Sequence, residues 1–323
     1  MKHMAVLPLL LALISGLPGP AGLLSQEGGR AEEPGRIVAG DIDRFWKAYD
    51  AAAVAPTYED TLRAFFENYY VPGSPGLKDF IRTRIGSVIQ LVDALHNYPN
   101  YYASIREQTL RVHEFVPEIR SVLTRFSELY PEMQAPDVYF LIGRLTSGGT
   151  TSASRILIGT EMYGRTEVTD ESELSPWLRT VLAGIDNVPT IVAHELIHTQ
   201  QRFPRNSTGT LLAKAIQEGS CDFLGELISG RNINDHVHAW ADPREAQLWG
   251  DFQDVMLGSE TTGWLYGNRA PEEPNDLGYW IGYMITAAYY ARAVDKRQAI
   301  HDILHIQDFE AFLAASGFGE RQP

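Results

Sequence analysis

Residues 194–198 read His194-Glu195-Leu196-Ile197-His198, and residues 218–222 read Glu218-Gly219-Ser220-Cys221-Asp222. On a helix, positions i and i+4 lie on one face, so both imidazoles can reach a common point from a single turn. A catalytic zinc ion takes three protein ligands and leaves a fourth position open. His194 and His198, with Glu218 twenty positions after the second histidine, supply such a set. Glu195 then falls beside the metal as general base. Asn187-Val188-Pro189-Thr190 precedes the motif. Thr190 is read as the N-cap, and Ile191, Val192, Leu196 and Ile197 as the side of the helix turned to a core.

The run Leu211 to Gln217 reads as helical, so Glu218 and Asp222 share a face. Asp222 is expected to accept a hydrogen bond from the outer nitrogen of a ligand histidine and so fix its tautomer. Glu226 is the main rival for third ligand. His236 and His238 are weaker rivals, because Arg231 to Asp235 before them reads as a loop. Cys221 is the only cysteine, so no intrachain disulfide is available. It is expected to be a small buried filler rather than a ligand or nucleophile.

His-Glu-x-x-His followed by Glu-x-x-x-Asp resembles the gluzincin clan of zinc metallopeptidases, over His194, Glu195, His198, Glu218 and Asp222. The string from Glu218 to Gly230 and the later Leu277-Gly-Tyr-Trp-Ile-Gly-Tyr283 are similar to a bacterial group of predicted zinc-dependent proteases related to gliding-motility lipoproteins. The resemblance implies a zincin-like core in which His194, His198 and Glu218 are the ligands and Glu195 the catalytic acid/base. The lipoprotein relatives carry a cysteine at the end of the signal peptide, and this chain has none there.

Acidic residues outnumber basic ones 41 to 27, for a net charge of -14. That balance excludes the basic footprint of a nucleic-acid binder. A short polar start, an apolar run from Ala5 to Leu17 and small residues to about Ser25 make a secretory signal peptide, residues 1–25. The run is too short to span a bilayer comfortably, and no later stretch of eighteen apolar residues follows, so no stable membrane span is expected after cleavage. The expected location is secreted or periplasmic.

Residues 26–36, rich in Gly, Glu, Pro and Arg, read as a flexible segment, and 37–131 as a helical lobe. Its helices are placed at Ile37 to Ala53, Tyr58 to Tyr70, Leu77 to Tyr98 and Tyr101 to Tyr130. Residues 132–323 form the catalytic region. There Val138 to Ile142 and Ile156 to Ile158 read as strands around a turn-rich loop, Thr146 to Ser152. Peptidases of this type hold a substrate backbone at a sheet edge. A short helix is read at Leu174 to Gly184, others at Arg244 to Met256 and Gly278 to Val294, and capping helices in the tail. The fold class is α+β, predominantly helical, with a small β-sheet and a zinc-binding helix. Tyr283, Tyr279, Tyr266 and His238 are candidates for the group that stabilises the oxyanion. Together these readings describe an exported zinc-dependent peptidase acting on a peptide or protein substrate. The alternative is an exported zinc-containing binding or assembly protein, which would need the ligands but not Glu195.

Overall fold

Two apolar runs, Val138–Leu141 and Ile156–Ile158, are fully or almost fully buried. Strands covered on both faces read as continuous hydrophobic stretches, and these lie at the centre of a small sheet. A computed structural model describes residues 35–204 and 206–320, so the expected signal peptide and most of the 26–36 segment lie outside the described residues. The sheet contains β1 (Ile37–Val38), β2 (Asp137–Leu141), β3 (Gly149–Ser152) and β4 (Arg155–Gly159), in the order β1-β2-β4-β3. Strands β1, β2 and β4 are parallel, and β3 runs antiparallel to β4 with Gly149 opposite Ile158.

Ile37 and Val38 thus form a strand, where a helix was expected to begin. The backbone N–H of Arg36 and its guanidinium both reach the Asp137 carboxylate, which sets the chain alongside β2. The turn-rich Thr146 to Ser152 likewise contains strand β3, whose pairing with β4 overrides its loop-like composition.

Helices surround the sheet. They are α1 (Gly40–Ala53), α2 (Tyr58–Phe65), α3 (Pro75–Phe80), α4 (Val88–Asn97), α5 (Pro99–Leu110), α6 (Val116–Leu129) and α7 (Pro176–Val181). The second half adds α8 (Val188–Gln200), α9 (Leu211–Ser229), α10 (Asp235–Ala241), α11 (Glu245–Gln253), α12 (Leu277–Arg292), α13 (Lys296–Leu304) and α14 (Phe309–Ser316). The predicted helix over Tyr58 to Tyr70 passes into a π-turn at Phe66–Tyr70, and Leu77 to Tyr98 is broken by a second π-turn and by Gly86 at φ +82°. The architecture is α+β and mostly helical. Helices α1 and α3 pack on β2, and α8 packs on β3, β4, α6 and α9. One hydrophobic cluster joins Phe45, Tyr102, Phe140, Leu196, Ile216 and Trp280.

Helix α8 is buried from Val188 through Ile197, all the way round. Such a helix is held by packing on every side rather than by one amphipathic stripe. Helix α9 begins at Thr210, whose side chain accepts from Ala213 N, and ends at Gly230 in the left-handed region. Its backbone passes very close to that of α12. A Cβ on Gly219 would meet Tyr283 N at 2.1 Å, and one on Gly282 would meet Ala215 O at 1.7 Å. Only glycine lets the two backbones approach this closely. Glu218 sits one residue from that crossing. No helix among the described residues is long and apolar enough to cross a membrane.

Candidate metal centre

Helix α8 carries His194 and His198 one turn apart, with ring centroids separated by 4.8 Å. Thr190 lies inside this helix. The N-cap is Asn187, which makes no side-chain cap, and Pro189 occupies the first turn, where its missing N–H costs nothing. Helix α9 brings Glu218 opposite. His198 Nε2 lies 3.1 Å from both His194 Nε2 and Glu218 Oε2, and His194 Nε2 lies 3.6 Å from the same carboxylate oxygen.

The outer nitrogens fix the protons. His194 Nδ1 is 2.7 Å from Asp222 Oδ1, and His198 Nδ1 is 2.9 Å from Gln201 Oε1. The amide of Gln201 is oriented by Nε2 donating to Gln217 O, which leaves its oxygen facing the imidazole. A carboxylate and an amide oxygen only accept, so each Nδ1 donates. Both Nε2 atoms of the neutral rings then carry bare lone pairs. In that neutral form two lone pairs and a carboxylate converge, and the point between them lacks positive charge. A cation at their meeting point would satisfy all three, and the donor set of two imidazoles and one carboxylate suits a divalent ion such as zinc.

Without a metal, protons supply that charge. Burial works to lower the pKa of His194, yet hydrogen bonds to Asp222 and Glu218 carry it well above its ordinary value. Burial works to raise Glu218, and the two imidazoles override it and hold the carboxyl far below the usual range. The pocket demands positive charge.

Cys221 gives a second grouping of donors with His194 and His198, all within 4.8 Å. The sulfur, however, faces His198 Nδ1 at 3.3 Å, the nitrogen already turned to Gln201. Burial pushes the thiol pKa well up, so it stays protonated, and it donates to Gln217 O. Its place is behind the imidazole.

Glu195 follows His194 and lines the same cavity of about 570 Å³. Burial raises its pKa, and the two histidines pull the other way. A Cβ on Gly149 of strand β3 would come within 2.5 Å of Glu195 Oε1, so the sheet edge lies directly over this carboxylate. Gly148, Gly149, Thr150 and Thr151 face the cavity beside it.

The remaining predicted residues divide. Tyr266 and Tyr279 line the cavity; Tyr283 and His238 do not. Tyr283 donates to Glu226 Oε2 at 2.8 Å, and the His238 ring packs edge-on against it at 4.5 Å. Glu226 is held in addition by Asn232 and also lies outside the cavity lining, so it does not compete with Glu218. His236 and His238 belong to helix α10 rather than to a loop, and His236 is exposed. Sequence reasoning missed Gln201, Asn234 and Asp276. Gln201 stands three residues after His198, the one local signal available. Asn234 donates to Asp222 Oδ2 at 2.7 Å, and nothing in its loop announces that role.

No curated protein and no solved structure matches the chain. The family described as Gliding motility protein GldB matches over residues 37–255, a span that takes in the sheet, both histidines, Glu195, Glu218 and Asp222. That match covers more than half of the sequence and bears out the expected relation to gliding-motility lipoproteins: the chain belongs to the gliding motility protein GldB family.

Proposed function

We propose that the protein is an exported zinc-dependent peptidase. The observation that carries this reading is the convergence of His194 Nε2, His198 Nε2 and Glu218 Oε2 within 3.6 Å, with Glu195 on the same helix turn. A zinc ion held by these atoms would supply Lewis acidity toward a water molecule and a substrate carbonyl. Asp222 and Gln201 keep the two imidazoles in the tautomer that leaves Nε2 available. Glu195, its basicity raised by burial, takes a proton from the attacking water as the new C–O bond forms. It returns that proton to the amine as the C–N bond breaks. Strand β3 pairs with β4 on one side and, among the described residues, with no strand on the other. An extended substrate backbone would add at this edge, above Glu195.

The second reading, an exported zinc-containing binding or assembly protein, draws on the family's description as a gliding motility protein. Glu195 favours hydrolysis, since a binding protein has no need of a buried carboxylate beside its ligands. The test uses purified protein and a mixed peptide library, with and without a chelator. Glu195→Gln is expected to keep its metal while cleavage falls by about 10²–10⁴-fold. Undiminished cleavage by that variant rejects Glu195 as base. A metal-loaded wild type that cleaves nothing supports the second reading.

A further inference from the structure

Tyr266 sits in a loop between Trp264 and Leu277 that is built with unusual backbone. Its φ is +64°, and Asp276 at the other end of the loop has φ +66°. Neither is glycine, so each position is strained and persists only where its surroundings enforce it. The enforcement is visible. The backbone N–H of Tyr266 donates to Asp276 Oδ1, Asp276 N donates to Gly267 O at 3.0 Å, and Gly278 N donates to Trp264 O at 2.7 Å. Arg269 spans the loop to the Glu273 carboxylate with two hydrogen bonds and lies over the Trp264 ring.

The result is selective. Trp264 and Leu265 are buried, while Tyr266 is turned out and 65% exposed. Its hydroxyl hangs over the cavity, 3.4 Å from Glu218 Oε1. Two other phenols line the cavity: Tyr279 lies with its ring stacked on His194, and Tyr163 is buried with its hydroxyl packed against Gly148. An exposed phenol held in a strained backbone beside the ligand carboxylate has no structural need to be there.

We infer that Tyr266 donates its hydroxyl to the substrate carbonyl oxygen on which charge develops, and that Asp276 is the positioning residue that holds it there. This rests on the peptidase reading above. No covalent change occurs at Tyr266; its O–H strengthens one hydrogen bond in the transition state.

The experiment compares Tyr266→Phe, Asp276→Ala and Asp276→Asn with the wild type in zinc affinity, in kcat and KM on the best-cleaved peptide of a quenched-fluorescence library, and in amide exchange at Tyr266. Tyr266→Phe is expected to lower kcat by about 10²–10³-fold with KM and zinc affinity unchanged. Asp276→Ala is expected to lower kcat similarly and to speed exchange of the Tyr266 amide. Asp276→Asn keeps an acceptor oxygen and is expected to restore both. Equal kcat in Tyr266→Phe and wild type overturns the catalytic role, as does a loss confined to zinc affinity, which would make Tyr266 a support for Glu218. An asparagine variant as impaired as the alanine one, or a Tyr266 amide unaffected by Asp276→Ala, overturns the positioning role. A wild type that cleaves no peptide defeats the peptidase reading instead, and the exchange measurement still judges the Asp276–Tyr266 contact.

Discussion

The two sides of the cleft are built differently. The side that carries His194, His198 and Glu218 is regular: α9 packs against both α8 and α12, and Gly219 and Gly282 let two backbones nearly touch beside Glu218. The rest of the lining includes loop and edge strand: Thr146 to Thr151, and Tyr266 and Asp276. Both loops use one device there. Leu145 and Tyr266 each stand at positive φ, and each gives its backbone N–H to a carboxylate, that of buried Glu161 and that of half-buried Asp276 respectively. Rigid helices hold the atoms that converge, and braced loops present the atoms that face a substrate in the proposed reading. Sites on helices are the more exact, and loops carry the variable part of recognition.

If that division is real, damage to the helical side should spread through the whole molecule. Gly282→Ala places a Cβ against the Ala215 carbonyl, with no flexible side chain to yield. The expected loss is about 3 kcal/mol or more, the upper range for overpacking, read as a lowered denaturation midpoint together with lost metal binding. An alanine variant as stable as wild type would break the comparison at its strongest point.

The loop side should respond to pH. Burial pushes Glu161 up to about 7, against backbone donors at Gly143 and Leu145 that pull it down. A carboxyl raised in the folded state gives stability that is fully present below the unfolded value of about 4.5 and is lost as pH rises through about 7. The change expected from this one group is on the order of 3 kcal/mol at most. Denaturation curves between pH 4 and 8 for wild type and Glu161→Gln should differ in slope within that window. Parallel curves would show that Glu161 does not titrate there.

The smallest effect sharpens the helical side. Asp222→Asn leaves an oxygen near His194 Nδ1 but removes the charge, and zinc affinity is expected to fall about 10–100-fold with the fold intact. Unchanged affinity in a competition titration would remove Asp222 from the ligand support.

The same division explains what the sequence made legible. His194, His198, Glu218 and Asp222 declare themselves because helical spacing is local: four residues along the chain is one turn in space. Strand β1 has only two residues and exists through pairing with β2, about a hundred positions away, so no local signal marks it. Strand β3 reads as a turn because Gly149, Thr150, Thr151 and Ser152 are turn residues; its partner makes it a strand. Among the tyrosines, Tyr283 and Tyr279 are four apart on α12, yet Tyr283 turns to Glu226 while Tyr279 turns to His194. Spacing could not say which face meets the cleft. Tyr266 reaches it through a left-handed backbone that a non-glycine residue does not advertise.

The claim beneath all of this is that two imidazoles and one carboxylate share a metal ion. Zinc should be measured by elemental analysis in natively purified wild type, in Glu195→Gln, and in the alanine variants of His194, His198 and Glu218. One zinc per chain is expected in the first two, and loss of that zinc in each of the three ligand variants. A wild type that neither carries nor takes up metal, or ligand variants that keep a full complement, would contradict it.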